Sequence, residues 1–325
     1  MGVTDTSLAE PPLDRQRVQR RRMARCAKRY EPAAALQREV AERLLERLEP
    51  VHLAPRRVVD VGAATGYATR ALLKRFRTAE VYAIEDAPDL LRRCRKRGSW
   101  LRRPRCICTD PEALPFPDGS IDLLFSNLAL QWASDIGAAL AEMRRVLSPA
   151  GALFFTTLGP QTLEELRGAW AEVDHYTHIH TFCDKPIVGE AMLRCGFTGP
   201  VVDGEQLTLT YQQPRAVIRE LKALGSINAS TRRPRGLASP HRLARVEAAY
   251  SRRFRQADGR VPATYEILYG HAWGGPGEGG PNGAETEPAT SAGSAFPKLD
   301  GTPRALTYDP GNHLATETIG GRICV

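Results

Sequence analysis

The stretch VVDVGAATGYATRALL, Val58 to Leu73, limits most strongly what this chain can fold into. An apolar run ends at Asp60, a turn of small residues follows, and a helical period begins near Gly66. Strand, small-residue turn and helix in that order let a ligand approach the backbone at the carboxyl edge of a parallel sheet. The dinucleotide fingerprint needs G-x-G-x-x-G, whereas this turn reads Asp60-x-Gly62-x-Ala64-x-Gly66. No Gly-Lys-Ser/Thr closes it as a P-loop would. A carboxylate at Asp60 repels a pyrophosphate and attracts an ammonium or sulfonium group. The turn therefore points to a cationic, nucleoside-bearing ligand. Ala64 is expected to keep its own backbone out of positive φ.

Beyond this turn, short apolar runs alternate with helical periods, the pattern of a parallel α/β sheet. RRVVDVG, AEVYAIE, RCICTD, SIDLLFSN and ALFFTTL read as strands, and QLTLTY and ATYEILYGHAW add two more. The expected fold is α/β, a doubly wound, mostly parallel seven-stranded sheet of Rossmann-like type. Helical cap insertions are expected at about 159–182 and 212–258. Residues 1–50 read as an N-terminal helical lid segment and 51–273 as the main domain. After Trp273 the chain turns to GGPGEGGPNGAETEPATSAGSAFP, so 274–325 is expected to be a disordered tail.

Composition narrows the setting. The formal charge is +8, and Arg15–Arg29 holds no acidic residue, which fits either a solvated helix face or a docking surface for an acidic partner. Seven cysteines without C-x-x-C pairs predict reduced thiols and a cytoplasmic location. No apolar stretch is long enough for a membrane span. No metal is expected: Cys106 and Cys108 have no evident co-ligands, and His175, His178 and His180 lack a neighbouring carboxylate pair.

The strand ends carry a series of polar residues. Glu85 closes the second strand, 19 residues after Gly66, where a carboxylate can accept both ribose hydroxyls of a nucleoside. Asp86 beside it could serve instead. Asp110 closes the third strand and can accept from an adenine amino group. Asn127 stands at the tip of the fourth.

With Asp60, Glu85, Asp110 and Asn127 in succession, the chain resembles the class I S-adenosylmethionine-dependent methyltransferases, whose first motif runs acid-x-Gly-x-Gly-x-Gly. Ala64 departs from it. DPEALPFPDGSIDLLFSN resembles the family's third and fourth motifs. The resemblance implies S-adenosylmethionine as co-substrate, with Asp60, Gly62, Ala64 and Gly66 around its methionyl part. It also places Glu85 on the ribose, and Asp110 near adenine. The flanks RYEPAAALQREVAERLLERL, LGPQTLEELRGAWAEVDHYTHIHTF, LTLTYQQPRAVIRELKALGSINAS and GRVPATYEILYGHAW resemble the malonyl-acyl-carrier-protein O-methyltransferases of biotin synthesis, over about 15–273. This implies methylation of the free carboxylate of a malonyl thioester on an acidic acyl carrier protein, an early step toward pimeloyl. Malonyl-coenzyme A as the donor stays open. An aromatic residue usual near Met23 is absent. Tyr30 is the candidate aromatic lid over the cofactor.

A carboxylate is already ionised at neutral pH, so its attack on a sulfonium methyl needs alignment and exclusion of water but no general base. An arginine or lysine should grip the unreactive oxygen. Arg215, Arg219 and Lys222, at i, i+4 and i+7, share one helical face and are the candidates, Lys222 first. His178 and Tyr265 are candidates to line the substrate channel. Alternative readings are an arginine hydroxylase or assembly factor of the complex I type, a small-molecule methyltransferase, and a cofactor-binding assembly factor without turnover. Nucleic-acid methylation is disfavoured, because SNLA stands where amino-group transfer needs Asn/Asp-Pro-Pro-aromatic.

Overall fold

The computed structural model describes residues 23, 25–226 and 239–275, and the backbone of three strands between 304 and 324. Residues 15–22 and 24 of the basic N-terminal stretch lie outside the described residues. The sheet places β6 (Thr198–Tyr211), β7 (Val261–Trp273), β5 (Leu147–Leu158), β4 (Ile121–Ser126), β1 (Arg57–Val61), β2 (Glu80–Ile84) and β3 (Arg105–Ile107) side by side in that order. Among these seven, only β7 runs antiparallel to its neighbours. The order reverses where β1 lies between β2 and β4, which opens a crevice at the carboxyl ends of β1 and β4. The seven-stranded, doubly wound expectation matches this core.

Helices cover both faces. On one lie α1 (25–33), α2 (Ala35–Leu48), α3 (Tyr67–Arg75), α6 (Glu164–Ala171), α8 (Pro214–Ala223) and α9 (Pro240–Phe254), and α4 (Pro88–Cys94) packs on β2 and β3. On the other lie α5 (Ile136–Val146) and α7 (Lys185–Arg194), whose Leu140, Met143, Val188 and Met192 share a core with Val59, Leu124 and Phe155. α6 packs on α9, and α8 on α9 and β6. The two expected insertions thus form a joint helical layer.

The tail differs from the expectation where its backbone is described. Arg304–Tyr308 (β8) pairs in parallel with β6, and Leu314–Ile319 (β9) and Arg322–Cys324 (β10) extend the sheet antiparallel. The physical reason is the open edge of β6, whose unpaired N–H and C=O groups accept a further strand. RALTY pairs there and LATETI pairs on RALTY, both being rich in residues that suit extended backbone. The remainder of 276–325 lies outside the described residues.

α2 fixes the lid to the sheet. Its sequence, ALQREVAERLLERL, is made almost wholly of good helix formers, with Leu36, Val40, Leu44 and Leu48 at intervals of four. All four are buried, joining the core that holds Val58, Phe125 and Phe154. The adjoining stripe carries two buried arginines. Arg43 bonds Glu205 at 2.9 Å and Glu39 at 2.8 Å, and Arg47 reaches Asp203 at 3.2 Å while its guanidinium sits 4.0 Å over the Tyr269 ring. Tyr269 donates to the other oxygen of Glu205. Removing one partner of so buried a pair leaves an uncompensated charge. Arg43→Ala is expected to lower the unfolding free energy by about 3–5 kcal/mol in urea titration. A loss below about 1 kcal/mol, as for an exposed pair, would show that the cluster does not anchor α2.

Candidate active site

Two connected cavities lie over the crevice at β1 and β4. The larger spans about 910 Å³, counting its solvent-open mouth. Gly62 and Ala64 form its floor, Glu85 and Asp86 one wall, and Asp110 to Glu112 the end beyond β3. Asn127 to Ala133 form the opposite wall, and Met23, Tyr30 and Gln37 roof it. The smaller, about 460 Å³, holds Asp60, Thr65 and Tyr67 with Glu31 and Arg38. Tyr30, Gln37, Gly62, Ala64 and Asn127 border both.

The glycine turn is built for close approach. The Gly62 and Ala63 N–H groups both donate to the Ile84 carbonyl at 2.9 Å, which ties β1 to β2 as the chain turns. Gly62 has φ +75°, and a Cβ there would stand 2.3 Å from the Ala129 Cβ. Gly66 has φ +81°, and a Cβ would meet the Cys94 Sγ at 2.6 Å. Ala64 overturns one expectation: its φ is +46°, in the left-handed region. The Ala64 N–H donates to Glu85 Oε2 at 2.9 Å, and that bond holds the alanine in a conformation costing about 1–2 kcal/mol.

The acids lie where the sequence puts them, though each also has a structural task. Asp60 is 1% exposed and accepts from the hydroxyl and the N–H of Thr69 in the first turn of α3. Burial pushes its carboxyl up to about 7 against these two bonds. Glu85 accepts from Ala64 N–H through one oxygen and from Ala87 N–H at 3.0 Å through the other. Burial first, and then the charge of Asp86, push it up to about 8. Asp110 is half-buried, and its Oδ1 accepts from Glu112 N–H at 2.9 Å, shaping the turn that lines the cavity. Asn127 donates to the Gln37 carbonyl at 2.9 Å and accepts from the Thr156 hydroxyl at 2.9 Å. It therefore locks α2 above the site. Tyr30 borders both cavities, as a lid residue would, and burial with the nearby Glu85 charge raises its phenol.

The substrate candidates fall elsewhere. Arg215, Arg219 and Lys222 are exposed and line neither cavity, and Arg215 pairs with Glu247 at 2.7 Å. The spacing does place them on one face of α8. Val217 buries the other face, so the basic face turns outward. His178 stacks on Trp170 at 3.6 Å and meets Asp174 at 2.8 Å, where Arg242 also bonds. Tyr265 is buried beside Tyr211 and Glu220, and burial raises its phenol. Neither His178 nor Tyr265 borders the two cavities. From the same segment, it is Leu224 and Ser226, just past α8, that reach the larger cavity.

Arg38 and Gln37 were not singled out by sequence reasoning. Both sit in the quoted stretch RYEPAAALQREV, but a polar pair on an amphipathic helix reads as a solvated face. Arg38 is the cation of the smaller cavity, and its Nη1 donates to the Glu31 carbonyl at 2.6 Å. Among the described residues, no cluster of three His, Cys, Asp or Glu has metal-binding geometry. Within the same residues no helix is long and apolar enough to cross a membrane.

An acid-lined cleft over a small-residue turn, at the switch point of such a sheet, defines a methyltransferase of class I fold. The model of the methyltransferase domain matches residues 59–155. The YcgJ protein of Bacillus subtilis shares the fold, with a TM-score of 0.50 at 16% identity, covering 72% of this chain and 97% of that one. A chain from Bacillus halodurans C-125 gives 0.51 at 16% identity, covering 73% and 99%. Sequence relatives are far nearer. The malonyl-[acyl-carrier protein] O-methyltransferase of Halorhodospira halophila is 62% identical over 267 residues, 81% of this chain and 90% of that relative. Its namesake in Laribacter hongkongensis is 46% identical over 268 residues, 80% and 89%. The chain belongs to the malonyl-[acyl-carrier protein] O-methyltransferase family.

Ala64→Gly removes the Cβ strain at a left-handed position and is expected to raise the unfolding free energy by up to about 1 kcal/mol. Thermal denaturation reads it as a rise in midpoint. A fall by as much would mean that the alanine methyl packs usefully against Tyr30 and Ala87.

Proposed function

We propose that this protein transfers the methyl group of S-adenosylmethionine to the free carboxylate of malonyl-acyl carrier protein, an early cytoplasmic step of biotin synthesis on the way to pimeloyl. The 62% identity to a relative of that name, over 81% of the chain, carries the reading. The relatives at 46% and 44% bear the same name, which favours methyl transfer over arginine hydroxylation.

The residues present fit the co-substrate. Buried Asp60 and Glu85 form no ion pair among the described residues, so a cationic ligand meets two carboxyls able to ionise toward it. In this reading Glu85 accepts from the ribose hydroxyls and Asp110 from the adenine amino group. In the smaller cavity, Asp60 and Arg38 offer opposite charges to the ammonium and carboxylate of an amino-acid moiety. Bound there, S-adenosylmethionine supplies an electrophilic methyl group on a sulfonium.

The protein's part is orientation. The substrate carboxylate brings its own electron pair, so no side chain has to remove a proton. Tyr30, Gln37 and Asn127 close the space above the glycine turn and exclude water. Alignment of this kind is worth about 7–11 kcal/mol in favourable cases. The carboxylate oxygen bonds the methyl carbon as the carbon–sulfur bond breaks and its electron pair stays on sulfur. The products are a neutral methyl ester, which no longer carries the malonyl charge, and the neutral thioether S-adenosylhomocysteine.

Purified protein, incubated with malonyl-carrier protein and methyl-labelled S-adenosylmethionine, is expected to place label in a base-labile ester on the carrier. Label in an arginine or in a small metabolite, with none on the malonyl group, would replace this reading by another.

A further inference from the structure

The segment RRCRKRGSWLRRPR, Arg92 to Arg105, contains eight basic residues and no acid. It folds back from α4 against α3, and the two walls enclose a solvent-open groove of about 1380 Å³. Arg70, Lys74 and Arg77 line it from α3 and the turn after it, and Lys96, Arg97 and Arg102 from the other wall. Two of these cations hold the fold. Arg102 donates to the carbonyls of Leu73, Phe76 and Ala79, at the end of α3. Arg97 bonds the Thr65 carbonyl at 2.9 Å and pairs with Glu31.

The other four are different. Arg70, Lys74, Arg77 and Lys96 are exposed and have no ion-pair partner among the described residues. Between the groove residues Ser99 and Arg102, Trp100 and Leu101 project with 80% and 76% of their surface exposed. Four uncompensated positive charges beside an apolar tip are unusual for a face that meets only water. Position adds to this. Thr65 and Glu31, which Arg97 ties together, also line the smaller cavity, so the groove ends against the wall of the active site.

We infer that this groove docks the acyl carrier protein, with Arg70, Lys74, Arg77 and Lys96 facing its acidic surface and Trp100 and Leu101 covering an apolar patch. The inference rests on the functional reading above and names the surface that recognises the protein part of the substrate. Charge complementarity selects the occupant: a strongly acidic partner gains encounter rate from such a field, and the gain fades with salt. A single-stranded nucleic acid fits less well, because among the described residues Trp100 is the one exposed aromatic ring at the groove, whereas base binding needs a series of aromatic platforms.

The test compares two methyl acceptors, malonyl-carrier protein and malonyl-N-acetylcysteamine, the second too small to reach the groove. In the triple variant Lys74→Glu, Arg77→Glu, Lys96→Glu, KM for the carrier substrate is expected to rise by about tenfold or more. Its kcat, and kcat/KM for the small thioester, should stay near the parent values. Adding salt to the unaltered protein should raise KM for the carrier substrate only. Trp100→Ala should raise KM for the carrier in the same selective way. An unchanged KM for the carrier overturns the inference, as does an equal loss on both acceptors or a salt effect shared by both. Lost retention of single-stranded RNA with carrier kinetics intact would assign the groove to nucleic acid instead. If the unaltered protein methylates neither acceptor, the functional reading itself fails, a result distinct from all of these.

Discussion

Two carboxyls buried beneath one turn of backbone set the character of this molecule. Asp60 and Glu85 are held in the sheet edge with no arginine or lysine against them among the described residues, and burial raises both toward neutrality. Among the described residues, backbone and hydroxyl donors offset the charge: Thr69 for Asp60, Ala64 and Ala87 for Glu85. Those bonds shape the turn. Glu85 holds Ala64 at positive φ and draws in the start of α4, and Asp60 secures the first turn of α3. The cavity floor and its charge are therefore products of the same side chains.

The lid depends on this floor in turn. Asn127 reaches from the tip of β4 to the Gln37 carbonyl, so the ligand wall and the roof helix are one assembly. Arg43 and Arg47 fasten the far end of α2 to β6 and β7. Tyr30 and Arg38 are thereby held over the crevice by contacts at both ends. The roof helix is thereby anchored to both the ligand wall and the sheet.

The sheet and its ligand edge were legible because each rests on a local rule. Apolar runs alternating with helical periods predict the strands, and a polar residue at each strand end predicts Asp60, Glu85, Asp110 and Asn127. What failed was longer in range. The left-handed Ala64 was hidden because the bond that holds it there comes from Glu85, 21 residues away. Arg215, Arg219 and Lys222 share a face as their spacing requires, but only the packing of Val217 decides that the face points outward. Arg38 went unnoticed for the opposite reason: a cation on a helix reads as solvated until another element closes over it. The tail strands β8 to β10 were masked by the Gly- and Pro-rich run before them.

Titration calorimetry of the protein with S-adenosylmethionine, at pH values from 6 to 8, tests the central claim most directly. A cationic ligand binds the ionised carboxyls, whose ligand-free values lie at about 7 and about 8. Binding at one site per chain should therefore tighten as pH rises through this window, with release of protons to the buffer. Absence of binding heat, or affinity that strengthens toward acid, would contradict the account.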